Sequence, residues 1–253
     1  MKIPRPIENL FHLSLDTLYS FIPRPKVNLK DCKIIAHRGA HDNKVILENT
    51  IEAFDKAAEL GLFGIEFDVR WTKDNIPIIY HDPCLKRLYG QEVVINQTLF
   101  SELRNSFPAI PSLEEVILRY RGKLHFMIEI KEAKSNSLKE ILCSLAPIKD
   151  YHILSLKKDN FRVLNSLEPS CFLPVAELNV DEWVPLVVEN QWAGLLGHYF
   201  LMNSKYLNLL KGKNKIVGTG FIGSRNCLYR EFGRGVDFIF TNTAEKLMEI
   251  VKR

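Results

Sequence analysis

The sequence predicts an α/β protein of the (β/α)8 TIM-barrel class. From Lys33 onward, short apolar runs typical of strands alternate with segments that have the periodicity of helices. This alternation predicts a parallel sheet covered by helices. The length of 253 residues matches single barrels, which need about 250 residues. A doubly wound open sheet fits the same alternation and is the structural alternative.

Nine segments are strand candidates, and helix candidates lie between most of them. The strand candidates are Lys33–Ala36, Gly64–Trp71, Ile76–Tyr80, Lys123–Ile130, His152–Ser155, Cys171–Val175, Trp192–Leu196, Lys215–Val217 and Val236–Phe240. The helix candidates are Glu48–Leu60, Ser112–Tyr120, Ser137–Leu145, Lys158–Ser166, Asp181–Glu189, Ser204–Leu210, Ser224–Phe232 and Thr243–Val251. A parallel crossover needs about a dozen residues, and far fewer separate Trp71 from Ile76. The second and third strand candidates are therefore predicted to form a small hairpin insertion, which leaves eight main strands.

Residues 1–30 are predicted to be an N-terminal helical extension of a barrel domain at residues 31–253. The apolar residues of this extension recur at near-helical spacing, namely Ile7, Leu10, Phe11, Leu15, Leu18, Tyr19 and Ile22. Pro23 and Pro25 end the segment. A helix packed on the barrel is the simpler interpretation, and an interfacial membrane helix over residues 7–22 is the alternative. The polar face of the segment lacks Lys and Arg, which disfavours membrane contact.

Composition excludes several classes of protein. The net charge of +4 is too small to indicate a nucleic-acid partner, and basic residues are not interleaved with aromatic ones. No apolar run approaches the roughly 20 residues of a membrane span, and no secretory signal is recognisable. Five widely spaced cysteines without a C-x-x-C pair are typical of reduced thiols. These features predict a cytoplasmic protein.

Acidic side chains interrupt two of the predicted strands. Because side chains alternate between the faces of a strand, Glu66 and Asp68 share one face of theirs, and Glu129 and Lys131 share a face of another. Covered parallel strands are otherwise apolar, and buried carboxylates are costly unless paired or bound to a metal. Two half-exposed strands with a wet polar face are the alternative. Three converging oxygen ligands would suit Mg²⁺ or Ca²⁺.

Two histidines stand at the ends of predicted strands. His37 and Arg38 follow Ile34-Ile35-Ala36, and His81 follows Ile78-Ile79-Tyr80. Active sites of barrels are built at the C-terminal ends of the strands, so these histidines are candidates for a general acid and base. The planar guanidinium of Arg38 suits a phosphate. The histidines at positions 12, 125, 152 and 198 are predicted to be structural.

An ordered set of motifs resembles the glycerophosphodiester phosphodiesterase family, within the superfamily of phospholipase C-like phosphodiesterases. The motifs are His37-Arg38-Gly39, Glu48-Asn49-Thr50, Glu66-Phe67-Asp68-Val69, Thr72-Lys73-Asp74, His81-Asp82, Ile110-Pro111-Ser112-Leu113-Glu114-Glu115 and Glu129-Ile130-Lys131. The match is dense from about Ile34 to Lys131 and thins toward Asn242.

The resemblance implies a catalytic barrel that hydrolyses glycerophosphodiesters to sn-glycerol 3-phosphate and an alcohol, in glycerol and lipid metabolism. The roles it implies are as follows: Glu66, Asp68 and Glu129 hold one divalent cation, Mg²⁺ or Ca²⁺; His37 and His81 are the general acid and base; Arg38 and Lys131 bind the substrate phosphate; and Glu48 is a supporting carboxylate near the metal and His37. Its partner would be a small-molecule phosphodiester. Two alternatives remain: lysophospholipase D-type cleavage at a membrane surface, and an inactive phosphodiester-binding module.

The sequence departs from the family pattern at four places. Leu47 replaces a proline, Leu156 replaces a phenylalanine, Gly218 stands where a tryptophan is usual, and Asn242 replaces an aspartate. None of these changes removes an expected catalytic group, but the missing tryptophan leaves the alcohol group open. The segment Gly218-Thr219-Gly220-Phe221-Ile222-Gly223 formally matches a dinucleotide-binding motif. We reject that interpretation because Asp237 precedes its strand and only one helix follows.

Overall fold

The computed structural model describes residues 5–132, 134 and 137–252, without the side chains of residues 5–9, 16 and 137. The predicted domains begin at residue 1 and end at residue 253, and both residues lie outside the described part of the chain. The side chain of Ile7 also lies outside it.

Eight parallel strands form a nearly closed barrel. The strands of the sheet are β1 (Lys33–His37), β2 (Gly64–Trp71), β3 (Pro77–Ile79), β4 (His125–Ile130), β5 (Tyr151–Leu154), β6 (Val175–Ala176), β7 (Gly194–His198), β8 (Ile216–Gly220) and β9 (Phe238–Thr241). Their order is β5-β4-β2-β1-β9-β8-β7-β6, with β3 beside β2. The two ends of this order meet where the Leu173 N–H donates to the Ile153 carbonyl at 2.9 Å. The predicted barrel is thus confirmed, and the alternative of a doubly wound open sheet is wrong.

Helices surround the barrel. They are α1 (Arg5–Ser20), α2 (Ile51–Glu59), α3 (Lys86–Tyr89), α4 (Phe100–Ser106), α5 (Leu113–Tyr120), α6 (Ser137–Leu142), α7 (Lys158–Val163), α8 (Val180–Glu189), α9 (Ser204–Gly212), α10 (Arg225–Gly233) and α11 (Ala244–Val251). Among the described residues, no helix is long and apolar enough to span a bilayer.

The insertion after β2 begins with the predicted hairpin. β3 runs antiparallel to β2, with Val69 opposite Ile79. The insertion also contains α3 and α4, which the sequence did not predict because four and seven residues are too few to show a helical period. A separate apolar cluster stabilises it, formed by Ile78, Tyr80, Leu85, Ile95, Leu103 and Ile110. The insertion is therefore larger than the predicted hairpin.

The barrel interior is layered. Its middle layer is apolar and contains Ile35, Met127, Leu154, Leu173, Leu196, Phe238 and Phe240. Outward-facing residues such as Ile65, Phe67 and Val69 belong to the larger core between strands and helices. The polar residues of β2 therefore point into the barrel, beyond the apolar layer, at the C-terminal ends of the strands.

A pair of buried histidines lies at the opposite end of the barrel. His125 Nδ1 is 3.0 Å from the Lys149 carbonyl, so this nitrogen carries the proton. His125 Nε2 therefore accepts a hydrogen bond from His152 Nδ1, at 2.8 Å. Burial lowers the pKa of His125 to about 4 and that of His152 to about 3. Both rings are neutral in the folded protein near neutral pH, as the prediction of structural histidines requires.

We expect this pair to make the fold sensitive to acid. Because both pKa values are lower in the folded than in the unfolded chain, their contribution is present above about pH 6.5 and is lost as the pH falls. When the pH falls from about 7.5 to about 5, each ring should lower the free energy of unfolding by about 2 kcal/mol. Urea unfolding at both pH values measures this loss. Other histidines with lowered pKa values add to the total loss, so His152→Leu should reduce it by about 2 kcal/mol, and an unchanged loss would exclude the pair as a source.

Helix α1 packs beside the C-terminal end of the barrel. His12 Nδ1 lies 3.1 Å from the Tyr199 hydroxyl, and the His12 ring stacks on Phe221 with centroids 5.5 Å apart. The guanidinium of Arg230 lies 4.4 Å from the centre of the Tyr19 ring. Helix α1 therefore has both polar and apolar contacts with the barrel. The division into domains at residues 30 and 31 remains a prediction.

Candidate active site

Three carboxylates converge at the C-terminal end of the barrel. Glu66 and Asp68 lie on β2, and Glu129 lies on the neighbouring β4, where it pairs in register with Asp68. One oxygen from each lies within 4.8 Å of the others, and all three side chains are buried. Glu66 Oε1 has no hydrogen-bond partner among the described residues.

The charges of this carboxylate cluster are unevenly compensated. Burial and then the charges of Asp68 and Glu129 raise the pKa of Glu66 well above its usual value. Burial also opposes ionisation of Asp68, but Lys131 and Arg38 outweigh it and hold the pKa of Asp68 below its usual value. An unpartnered carboxylate oxygen beside two further acids fits a divalent cation, and the all-oxygen donor set suits Mg²⁺ or Ca²⁺.

The two predicted phosphate ligands lie next to the carboxylate cluster. Lys131 Nζ is 2.7 Å from Asp68 Oδ1 and also contacts Glu129 Oε1. Arg38 Nε is 3.3 Å from Asp68 Oδ2, and the Arg38 backbone N–H donates to Glu66 Oε2 at 3.0 Å. Arg38 adopts a left-handed backbone, with φ of 58°, which costs about 1–2 kcal/mol.

Glu48 lies outside the carboxylate cluster and is enclosed by donors. Its oxygens accept from Arg38 Nη1 at 2.8 Å, from Arg87 Nη2 at 2.5 Å and from Asn43 Nδ2 at 2.7 Å. Burial opposes its ionisation, but the hydrogen bond from Arg87 and the charge of Arg38 keep the pKa of Glu48 below its usual value. Glu48 therefore contacts the carboxylate cluster indirectly, through Arg38.

His37 and His81 are both anchored through Nδ1. His37 Nδ1 lies 2.6 Å from Asn242 Oδ1, and its Nε2 lies 3.7 Å from Glu66 Oε2. His81 Nδ1 lies 2.8 Å from Asp82 Oδ1. An oxygen acceptor at Nδ1 places the proton there and leaves Nε2 to exchange a proton with a substrate. Burial is the main cause that lowers the pKa of both rings.

The structure adds four residues to which the sequence analysis assigned no role. Asn49 Nδ2 donates to Asp68 Oδ2 at 2.8 Å, while Asn242 and Asp82 orient the two histidines. Arg87 Nε contacts Asp82 Oδ2 at 2.5 Å and so links His81 to Glu48. Asn49 and Asp82 belong to the motifs quoted above, which could have indicated them. Arg87 lies in the unpredicted helix α3, and no motif marks it.

We expect Arg87→Ala to lower kcat/KM by about tenfold or more, because Glu48 and Asp82 each lose a charged donor. Arg87→Lys should recover only part of this loss, since one ammonium cannot replace the fork that contacts both carboxylates. Steady-state kinetics would measure the change. Arg119→Ala is the matched control, because its partner Asp55 lies on the surface. Equal effects of Arg87→Ala and Arg119→Ala would contradict this role.

On the other side of the barrel, the chain differs from the family pattern at Gly218, beside the apolar middle layer. A Cβ atom at this glycine would come within 2.2 Å of Leu196 Cδ2 and 3.2 Å of Phe240 Cε2. These two side chains occupy the space beside Gly218, so a larger residue there would require Leu196 to move. Asp237 binds the Val217 N–H at 2.7 Å and Lys211 at 2.6 Å, before β9 begins. This position agrees with rejecting a dinucleotide site.

Comparisons with known proteins point to one family. The model described as "Glycerophosphoryl diester phosphodiesterase family" matches residues 37–170. A glycerophosphodiester phosphodiesterase of Caldanaerobacter subterraneus is 26% identical over 246 residues, which cover 87% of this chain and 98% of that protein.

Two solved structures share the fold. A glycerophosphodiester phosphodiesterase from Thermotoga maritima has a TM-score of 0.75 and 26% identity, covering 87% of this chain and 98% of its own. An Oleispira antarctica phosphodiesterase, solved with the product sn-glycerol-3-phosphate, has a TM-score of 0.75 and 22% identity, covering 93% and 99% of the two chains.

Proposed function

This chain belongs to the glycerophosphoryl diester phosphodiesterase family, and we propose that it hydrolyses glycerophosphodiesters to sn-glycerol 3-phosphate and an alcohol. The observation that carries the proposal is the carboxylate cluster of Glu66, Asp68 and Glu129, with the anchored His37 beside it. The product of the Oleispira neighbour agrees with this reaction.

We assign the binding of one divalent cation, Mg²⁺ or Ca²⁺, to Glu66, Asp68 and Glu129. When bound, the cation would neutralise the phosphoryl oxygens and stabilise the charge that develops on them. Lys131 and Arg38 contact the same carboxylates and would hold the remaining phosphoryl charge. Glu48 and Arg87 keep the guanidinium of Arg38 in place.

We assign the proton transfers of the reaction to His37 and His81. One Nε2 takes the proton of the glycerol hydroxyl next to the phosphate as that oxygen attacks phosphorus. The other ring, which is protonated on both nitrogens before the step, gives its Nε2 proton to the leaving alkoxide, and the products are the free alcohol and a cyclic phosphate. Reversing the two roles delivers water to phosphorus and opens the ring to sn-glycerol 3-phosphate. Asn242 and Asp82 keep both rings in the required tautomer.

Release of sn-glycerol 3-phosphate from mixed glycerophosphodiesters, measured with Mg²⁺, with Ca²⁺ and with EDTA, tests this function. We expect release only with a divalent cation and loss of release in the Glu129→Gln variant. Failure to release product from any headgroup, with the protein folded and cation present, would overturn the assignment.

One structural feature favours lysophospholipids as a second candidate substrate class. Exposed apolar residues of α1 and of the loops after β7 and β8 lie near the mouth of the barrel, where an acyl chain could contact them. Turnover of a lysophospholipid in preference to a water-soluble diester would support this candidate. Any turnover would exclude the inactive binding module, which the full set of acidic, basic and histidine groups already disfavours.

We further propose a cytoplasmic location and a small-molecule partner rather than a nucleic acid. All five cysteines are free in the structure, which suits a reducing compartment. Thiol titration of the protein from a native extract would test the location, and oxidised thiols would contradict it.

A further inference from the structure

Among its described side chains, helix α1 exposes large apolar residues on its outer face as well as packing apolar residues on the barrel. His12, Leu15 and Tyr19 lie on the partly buried face. On the other side, Leu10 and Leu13 are each 64% exposed and Leu18 is 57% exposed. Phe21, just after the helix, is 81% exposed. A surface helix normally places polar residues on its outer face, so this exposure requires an explanation.

The hydroxyl groups between these leucines do not make the outer face polar. Ser14 Oγ donates to the Leu10 carbonyl at 2.8 Å, and Thr17 Oγ1 donates to the Leu13 carbonyl at 2.9 Å. Both hydroxyl protons are therefore bound within the helix itself. The outer face can enter an apolar medium without leaving these donors unpaired.

Aromatic residues at the barrel mouth extend this surface. Phe200 follows β7 and Phe221 follows β8, and they are 50% and 45% exposed. The Phe11 ring of α1 packs on Phe200, with centroids 5.6 Å apart, and the His12 ring stacks on Phe221. We call Leu10, Phe11, Leu13, Leu18, Phe200 and Phe221 the apolar mouth surface. Phe200 and Phe221 follow the C-terminal ends of their strands, as do the candidate catalytic residues.

Two exposed arginines follow parts of the apolar mouth surface in the sequence, Arg24 six residues after Leu18 and Arg225 four residues after Phe221. Arg24, just after α1, and Arg225, at the start of α10, are both exposed. Their guanidinium carbons lie 6.0 Å and 5.8 Å from the centre of the same Tyr229 ring. Two cations thus come together on one ring, and residues 10–20 of α1 contain no Lys or Arg of their own. Anionic headgroups carry the complementary charge.

We propose that the apolar mouth surface docks on a lipid bilayer that contains anionic lipids. The surface combines exposed leucines, hydroxyls bound to the backbone, aromatic rings and adjacent arginines, and these features characterise helices that lie in the plane of a membrane interface. A protein partner would be expected to form hydrogen bonds, and Ser14 and Thr17 already use their hydroxyl protons within the helix. The inference concerns where the protein works and goes beyond the proposed reaction.

Co-sedimentation of the full chain with phosphatidylcholine vesicles, with and without phosphatidylglycerol, tests the docking. The variant Leu10→Ser/Leu13→Ser/Leu18→Ser should bind at least about tenfold more weakly than the unmodified chain. Leu118→Ser/Val163→Ser/Leu209→Ser is the matched control, because these exposed apolar residues lie near the C-terminal ends of α5, α7 and α9. We expect the control to bind as the unmodified chain does.

A second variant tests the contribution of the two arginines to binding. Arg24→Gln/Arg225→Gln should weaken binding to vesicles with phosphatidylglycerol several-fold and leave binding to phosphatidylcholine alone unchanged. Hydrolysis of soluble glycerophosphocholine is followed in parallel and should not change in these variants. Failure of that hydrolysis in the unmodified chain would count against the proposed function and not against docking.

Three results would overturn the docking proposal. The first is an unmodified chain that does not sediment with either vesicle. The second is an equal loss of binding in Leu10→Ser/Leu13→Ser/Leu18→Ser and in its control Leu118→Ser/Val163→Ser/Leu209→Ser. The third is a concentration-dependent dimer that Leu10→Ser/Leu13→Ser/Leu18→Ser abolishes, since the apolar mouth surface would then belong to a second copy of the chain.

Discussion

Replacing His37 with alanine is expected to lower kcat by about 10²–10⁴ while the protein remains folded. The ring is fixed by Asn242, and its free Nε2 lies 3.7 Å from the Glu66 carboxylate, where a bound phosphodiester would be within reach. His41→Ala is the matched control, because His41 lies in the loop after β1 but not at the end of the strand. A loss in His37→Ala no larger than in this control would contradict the assignment.

A substrate with an activated leaving group separates the acid from the base. p-Nitrophenolate leaves without protonation, so loss of the general acid should matter much less with a glycerophospho-p-nitrophenyl ester than with glycerophosphocholine. Loss of the general base should slow both substrates equally. We therefore expect one of the variants His37→Ala and His81→Ala to regain much of its rate of hydrolysis on the activated ester. The other variant should remain as slow as on glycerophosphocholine. Recovery of both or of neither would contradict the division into one acid and one base.

The orientation of the carboxylate cluster could be predicted because strand periodicity is a local property. Ile65, Phe67 and Val69 alternate with Glu66 and Asp68, and the structure places the former in the outer core and the latter inside the barrel. The buried apolar residues on one face leave only the other face for the acids. The same alternation on β4 places Glu129 beside Asp68.

Two contacts of the candidate site could not be predicted, because they join distant parts of the chain. His37 and Asn242 are separated by 205 positions, and Arg87 reaches Glu48 across 39 positions. The first contact exists because β9 pairs with β1, which requires the completed barrel. The second exists because the insertion folds back on its own apolar cluster. Its helices α3 and α4 are too short to show a period in the sequence.

A change of Glu66 to glutamine should separate cation binding from folding. Burial and the charges of Asp68 and Glu129 raise the pKa of Glu66, so its ionisation destabilises the cation-free protein as the pH rises above the unfolded value of about 4.5. In EDTA at neutral pH, Glu66→Gln should therefore unfold at the same temperature as the unmodified protein or at a higher one. An amide keeps the shape of the side chain and removes the charge.

With a bound cation, the unmodified protein should unfold at a higher temperature than Glu66→Gln. At about 100 times its Kd, a ligand adds about 2.7 kcal/mol. For a domain of this size that corresponds to a rise in Tm of about 5–10 °C. Glu66→Gln should lose most of that rise, because it lacks one anionic ligand of three.

Thermal unfolding with EDTA, Mg²⁺ and Ca²⁺ measures both effects without any assay of turnover. Glu132→Gln is the control, since Glu132 also carries a charge near the site but pairs with Arg70 outside the carboxylate cluster. If Mg²⁺ and Ca²⁺ stabilise Glu66→Gln as much as Glu132→Gln, Glu66 does not hold the cation. If Glu66→Gln is instead less stable than the unmodified protein in EDTA, the carboxylate is compensated within the fold. The unpartnered Oε1 would then not indicate a cation site.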